Sequence, residues 1–295
     1  MKYVLTGSLG NITRPLAEQL IAAGHDVTIV SHNADRAAEI TKLGARPAIG
    51  QLEDTGFLSG AFAGADAVYT MVPPKWDATD WKQYIAETGK KIAAAVKTAG
   101  VKKVVNLSSL GAHMPDGCGP VSGLHFSEEA FNALPATDVK HLRPAYFYLN
   151  LLSNIGLIKA AGIIGNNYGG DTKLPLTHPR DIAAVAAEEL LSLRFTGKSI
   201  RYIASDERTS KEITKVLGAA IGKPDLPYVQ FNDEDTFQGM MQAGLSKEVA
   251  SNYMQMGQAI RSEEMSADYK KSKVALGATK LEDFAKEFAA AYAHS

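Results

Sequence analysis

The 295-residue chain is poor in cysteine and tryptophan, with one and two respectively, and it has no excess of either charge: 31 Lys plus Arg face 32 Asp plus Glu. A single thiol, Cys118, excludes an intrachain disulfide framework and fits a reducing compartment. Balanced charge without a basic block excludes an electrostatic footprint for nucleic acid or an anionic membrane. No apolar run is long enough to span a bilayer, and Gly7 and Gly10 interrupt the N-terminus before a signal-peptide core forms. The seven histidines show no metal-ligand spacing, so no metal site is expected. Cys118 lies in a Gly/Pro-rich stretch with no Lys or Arg adjacent, without the neighbour that would activate it for redox work. A cytoplasmic protein is expected, monomer or homodimer, with a small molecule as its partner.

What is present is more specific. The apolar run Lys2-Tyr3-Val4-Leu5-Thr6 leads straight into Gly7-Ser8-Leu9-Gly10-Asn11-Ile12, and a helical pattern follows. Strand, glycine turn and helix in that order hold a dinucleotide pyrophosphate: Gly7 allows the tight turn, and Gly10 lets backbone N–H groups approach the phosphates at a helix N-terminus. Thr13 stands where the fingerprint has its third glycine, which predicts a slightly wider contact between strand and helix. Gly7, Ser8, Gly10, Asn11 and Ile12 are therefore the predicted phosphate-binding residues.

The hydrophobic fraction of 45% is ample for a core, and strands alternate with helices through the first half. Strands are read at 25–30, 46–49, 65–72, 101–107 and 139–143, with helices between them, the longest over 77–99 and a later one near 126–134. This rhythm predicts an α/β fold: a Rossmann-type doubly wound parallel sheet with helices on both faces. Beyond Pro144 the pattern becomes mostly helical, which predicts a Rossmann domain over 1–150 and a smaller C-terminal lobe over 151–295. A strand around 199–204 allows the chain to return to the sheet there.

An NAD-selective site places a carboxylate at the end of the second strand. This chain has Ser31-His32-Asn33 there, followed by Arg36, groups that donate to a 2′-phosphate; NADP(H) is expected in preference to NAD(H). Gln51 and Leu52 are assigned to the adenine, and Asp54 to a helix cap. Met71, Val72 and Pro73 form an expected apolar wall beside the nicotinamide, with Ser108 either touching the nicotinamide ribose or closing a turn. Pro74, Tyr146 and Phe147 are the candidate acceptor contacts, to which Trp76, Trp81 and Phe237 are added as weaker candidates.

With those segments placed, the chain resembles the NmrA-like branch of the atypical short-chain dehydrogenase/reductases. The resemblance runs over nearly the whole length. It rests on Gly7-Ser8-Leu9-Gly10, on 58–68, on Leu142-Arg143-Pro144-Ala145-Tyr146-Phe147, on Asn150-Leu151-Leu152 and on His178-Pro179-Arg180-Asp181-Ile182-Ala183. It implies an NAD(P)H-binding oxidoreductase close to NADPH-dependent quinone and triphenylmethane dye reductases; the alternative is a non-catalytic NADP(H)-sensing regulator. Carbonyl-reducing members use a Tyr-x-x-x-Lys pair after the fifth strand. Here His125 and Glu129 stand at that spacing, and the match at Tyr269 and Lys273 falls far along the C-terminal lobe. A flat, strongly electrophilic acceptor such as a quinone is thus the expected substrate, since proximity to the nicotinamide suffices for hydride transfer. His125 is the candidate acid, with Glu129 orienting it or lying on a solvated face; a purely structural histidine is the competing reading.

Overall fold

The computed structural model describes residues 1–295. In chain order the first half runs β1 (Lys2–Leu5), α1 (Thr13–Ala22), β2 (Asp26–Ser31), α2 (Ala37–Lys42), β3 (Arg46–Ile49), α3 (Thr55–Phe62) and β4 (Ala67–Thr70). It continues with α4 (Trp81–Ala99), β5 (Lys103–Leu107), α5 (Val121–Asn132) and β6 (Asp138–Pro144). The second half holds β7 (Tyr146–Phe147), α6 (Asn154–Ala161), β8 (Ile164–Asn166), β9 (Lys173–Thr177), α7 (Pro179–Ser192) and β10 (Lys198–Ile203). Then follow β11 (Asp206–Thr209), α8 (Ser210–Ala220), β12 (Tyr228–Gln230), α9 (Asp233–Gln242), α10 (Lys247–Arg261), α11 (Ala267–Lys271) and α12 (Leu281–His294).

Seven strands form one parallel sheet in the order β10-β6-β5-β4-β1-β2-β3. The Rossmann-type doubly wound fold is thus present, with its order reversing between β1 and β4. The central strands are apolar on both faces because helices cover both. Tyr3 and Leu5 point into a core shared with α1 and α7, and Val4 between them points into the core under α3, α4 and α5. The Tyr3 hydroxyl is buried yet paired, donating to the Leu190 carbonyl at 2.8 Å. Fully burying side chains of this size stabilises by about 1.5–3 kcal/mol each.

The chain leaves the sheet after β6 and returns to it: α7 packs beside α1, and β10 adds to the outer edge of β6 with Ile200 opposite His141. The sheet half therefore takes back residues 179–203, and the lobe is assembled from the stretches on either side. Two small sheets, β11-β9-β7 and β12-β8, stiffen the lobe around a third core that includes Tyr148, Phe284 and Phe288.

Two helices start elsewhere than their apolar spacing indicates. The helix expected from 77 begins at Trp81, because the Asp80 carboxylate accepts the Gln83 N–H at 2.8 Å and caps it there. The helix expected near 126–134 already begins at Val121, and the reason is close packing against α4. A Cβ on Gly123 would lie 2.5 Å from the Lys82 carbonyl, and one on Gly89 would lie 2.2 Å from Ser127 Oγ. Glycine weakens helix propensity, yet here it is what lets two helices approach.

Candidate functional site

The glycine turn between β1 and α1 has the geometry the sequence requires. Gly7 adopts φ +96°, and a Cβ there would stand 2.6 Å from Thr13 Oγ1 and 3.1 Å from Met71. Thr13 explains the missing third glycine: its hydroxyl donates to the Thr6 carbonyl at 3.0 Å, pinning the start of α1 to the end of β1. The contact is a hydrogen bond instead of a gap. Ser8 sits at φ +54°, unusual for a side-chain-bearing residue, and is held by Ser31 through their hydroxyls at 2.9 Å. Gly10, Asn11 and Ile12 follow, Gly10 with its N–H on the Gly7 carbonyl at 3.2 Å. A Cβ on Gly10 would meet only that carbonyl, at 3.1 Å, so the concave side of the turn stays open.

Around the end of β2 the candidate 2′-phosphate residues separate. Ser31 is buried, its hydroxyl committed to Ser8 and to the Asn33 backbone, while His32 is exposed. Arg36 pairs with Glu39 at 2.7 Å, and Arg14 from the first turn of α1 meets the same carboxylate. Those two guanidiniums hold the Glu39 carboxyl below its usual range. Arg14 escaped the sequence reading; its signal is its place four residues after Gly10, on the turn that faces the end of β2. Gln51 is exposed and Leu52 half-buried beside the β2–β3 edge, and Asp54 caps α3 by accepting the Phe57 N–H at 2.9 Å.

The carboxyl ends of β4 and β5 carry the next group. Thr6 Oγ1 and the Met71 N–H are 2.8 Å apart, fixing Met71 over the glycine turn; Val72 and Pro73 continue outward, half-buried. Ser108, just past β5, is 5% exposed and its hydroxyl has no partner. An unpaired buried hydroxyl is costly unless something satisfies it. Beneath this edge, Thr70, Asn106 and His141 stand opposite one another across β4, β5 and β6. Thr70 donates to Asn106 Oδ1 at 2.9 Å, Asn106 donates to His141 Nδ1 at 3.1 Å, and His141 Nε2 donates to Asn132 Oδ1 at 3.0 Å. Burial pulls the His141 pKa down to about 4, so the ring is neutral and its tautomer is set by this row. Arg143, two residues on, makes a buried bidentate pair with Glu128 at 2.9 and 2.6 Å and donates to the Tyr202 hydroxyl at 3.0 Å, locking α5 and β10 to β6.

The acceptor-side candidates fall in different places. A cavity of about 1220 Å³ opens in the C-terminal lobe among α6, β8, α9 and α10. Trp76 is its one lining residue that precedes Tyr146 in the chain, so only the segments after β4 and β6 connect it to the sheet edge. Tyr146 lines the cavity, whereas Phe147, the next residue of the strand, turns to the opposite side and packs against the core under α1 and α7. Burial pushes the Tyr146 phenol up to about 12, the neighbouring Tyr168 hydroxyl opposing that shift, so it stays a hydrogen donor at neutral pH. Pro74 is exposed in the 73–80 segment and, like Trp81 and Phe237, is not part of the cavity wall. Trp81 packs behind Trp76 with ring centroids 4.9 Å apart, and its backbone N–H reaches Glu248 on α10 at 2.9 Å.

His125 lies on α5, outside the cavity wall. Its Nδ1 is 3.0 Å from the Ala112 carbonyl and so carries the hydrogen, and its Nε2 is 3.5 Å from Glu129. The imidazole thus ties α5 to the segment after β5. Cys118, in the same region, is fully buried, and burial pushes its thiol up to about 12, far from the thiolate range.

The residues at the glycine turn fit a dinucleotide: a turn whose concave side is open at Gly10 and which leaves no room for a side chain at Gly7, Arg14 on α1 and Arg36 after β2 meeting at Glu39, and an unsatisfied hydroxyl at Ser108. Residues 7–137 match the family model described as NAD(P)H-binding. The chain is similar to a (4-alkanoyl-5-oxo-2,5-dihydrofuran-3-yl)methyl phosphate reductase of Streptomyces griseus, 27% identical over 75% of this chain and 74% of that one. It is also similar to an NAD(P)H azoreductase of Xenophilus azovorans, 26% identical over 84% and 83% of the two chains. Among solved structures, the triphenylmethane reductase of Citrobacter sp. in complex with NADP(H) shares the fold, with TM-score 0.80, 20% identity and 98% and 100% coverage. No helix of this chain is long and apolar enough to cross a membrane.

Proposed function

We propose that this protein, an NAD(P)H-binding member of the NmrA-like atypical short-chain dehydrogenase/reductases, is an NADPH-dependent reductase of quinones or similar flat electrophiles. The observation that carries the reading is a cavity of about 1220 Å³ whose wall takes Tyr146 from just after β6 and Trp76 from the segment after β4, in a chain whose first strand ends in an open glycine turn at Gly7 and Gly10. In α/β folds the carboxyl edge of the sheet is where ligands bind. The chain's similarity to reductases of bacterial origin supports the same reading.

The turn from Gly7 to Ile12 holds the pyrophosphate with backbone N–H groups, and Arg14, His32 and Arg36 surround the 2′-phosphate. Ser108 takes the nicotinamide side, against the wall of Met71, Val72 and Pro73. A nicotinamide cofactor held there supplies a hydride. Tyr146 donates its hydroxyl hydrogen to the acceptor oxygen as negative charge develops on it, inside an apolar cavity where such a bond is strong. Its high pKa keeps the hydrogen in place without an activating lysine. His125 on α5, with Glu129 a turn away, is assigned the return of protons from water, outside the cavity wall.

Anaerobic oxidation of NADPH by purified protein with a panel of quinones tests the reading, with NADH in parallel. Saturable turnover that prefers NADPH is expected. Tyr146→Phe is expected to lower kcat about tenfold to a hundredfold while leaving the NADPH dissociation constant unchanged. Tight NADPH binding without turnover of any acceptor overturns the reductase and leaves a cofactor sensor.

A further inference from the structure

The wall of the large cavity has an uneven chemistry. It carries five aromatic rings (Trp76, Tyr146, Tyr168, Phe231 and Tyr253) and no lysine, arginine or histidine. Its one carboxylate is Asp235, in the first turn of α9, exposed, with Oδ2 accepting the Asn232 side-chain N–H at 2.8 Å. Size and charge are therefore both specified. About 1220 Å³ exceeds the roughly 300–1,000 Å³ common for small-molecule sites, more than a single ring fills. An acceptor bearing a phosphate, sulfonate or carboxylate finds no cationic partner on this wall and meets Asp235 instead. Trp76 is 52% exposed and stacks on Tyr253 with centroids 5.9 Å apart and planes 29° apart, an aromatic face held in position at the cavity.

We infer that the cavity selects by charge: it takes planar, multi-ring electrophiles that carry no negative group, with Trp76 the stacking surface and Asp235 the charge discriminator. A positively charged acceptor binds better than its neutral counterpart, and an anionic one is refused. The inference rests on the cavity being the acceptor site proposed above. It concerns recognition alone, and so can be measured without hydride transfer.

Three ligands sharing one naphthoquinone ring test it: the parent compound, a sulfonated form and a form with a quaternary ammonium group. The readout is equilibrium quenching of tryptophan fluorescence in the absence of NADPH. The protein has two tryptophans, and Trp81 is buried, so Trp76→Phe identifies the reporter. Saturable quenching by the parent is expected, with the sulfonate about tenfold weaker and the ammonium form about threefold tighter. Asp235→Asn is expected to abolish the gap between ammonium and parent forms, and Asp235→Lys to favour the sulfonate. Equal affinity for parent and sulfonate, an unchanged order in Asp235→Asn, or no quenching by any of the three overturns the inference. Charge-ordered binding without NADPH oxidation leaves it standing while the reductase reading falls. Turnover of all three with equal KM does the reverse.

Discussion

The proposed cofactor end and the proposed acceptor cavity of this protein are built on opposite plans. The cofactor end is a dozen contiguous residues, 5–16, supplemented by the segments after β2, β3, β4 and β5, and its proposed recognition groups are backbone N–H groups, arginines and hydroxyls. The cavity draws on segments from Trp76 to Ile260, and its recognition groups are aromatic side chains with a single carboxylate. One end is specified by local backbone geometry and the other by packing between distant helices. The first is accordingly readable in a short motif, and the second is free to vary without disturbing it.

The most severe way to separate the two ends is Gly7→Val. Its φ of +96° and the 2.6 Å approach to Thr13 Oγ1 leave no room for a side chain. NADPH affinity is expected to fall more than about a hundredfold, with a stability loss on the order of 1–3 kcal/mol, whereas quenching of Trp76 by a naphthoquinone persists. Isothermal titration and fluorescence on the same preparation check both. If quinone binding disappears as well in a protein that remains folded, the two ends are not independent.

Acid should act on the row beneath both ends. His141 has its pKa lowered to about 4 by burial, against about 6.5 in an unfolded chain. Between those values the unfolded state binds a proton that the folded state refuses, so stability is lost as pH falls from about 6.5 to about 4 and changes no further below. The expected loss is about 3 kcal/mol. Denaturant unfolding at pH 7 and pH 4.5 measures it. A His141→Gln variant, which does not titrate, is expected to show a smaller difference between the two pH values.

Arg14→Ala sharpens the comparison within the cofactor end. Removing one of the two guanidiniums on Glu39 should raise KM for NADPH about tenfold, from loss of a charged hydrogen bond, and leave KM for NADH within about twofold. Equal effects on both cofactors would show that Arg14 serves the fold of α1 and not the phosphate. The smallest effect is expected for His125→Ala. Loss of its bond to the Ala112 carbonyl costs about 1 kcal/mol of stability, and turnover falls less than for Tyr146→Phe. A drop in kcat matching that of Tyr146→Phe, with stability unchanged, would move the proton donor to His125.

Much of the sheet half was legible in the residues alone. Tyr3, Val4 and Leu5 are apolar on both faces of a strand and so had to lie inside a covered parallel sheet; Gly7 had to occupy a turn with positive φ. The start of α4 was misplaced by four residues, because Asp77 and Asp80 both suit a cap and only the fold shows which carboxylate reaches a free N–H. The start of α5 lies five residues before the expected one, and the contact of α4 with α5 at Gly89 and Gly123 exists only once the two helices are packed. The polar row Thr70, Asn106 and His141 left a faint signal, three polar residues inside apolar strands, but the register that pairs them is not contained in any one segment. Arg14 was overlooked for a similar reason: Glu39, which brings it to Arg36, lies 25 residues away.

The sequence by itself determined a Rossmann-type sheet, a tight glycine turn at its first strand, and the absence of a carboxylate at the end of its second. Those properties follow from φ preferences, alternation and residue charge, which act over a few residues. Tertiary structure alone decided that Tyr146 and not Phe147 faces the cavity, that His125 is bonded to a backbone carbonyl outside it, and that α7 packs beside α1. It also decided that a cavity assembled from helices far along the chain from the motif has one carboxylate and no cation on its wall. Such properties depend on which side chains meet once distant segments pack, and no local rule fixes that.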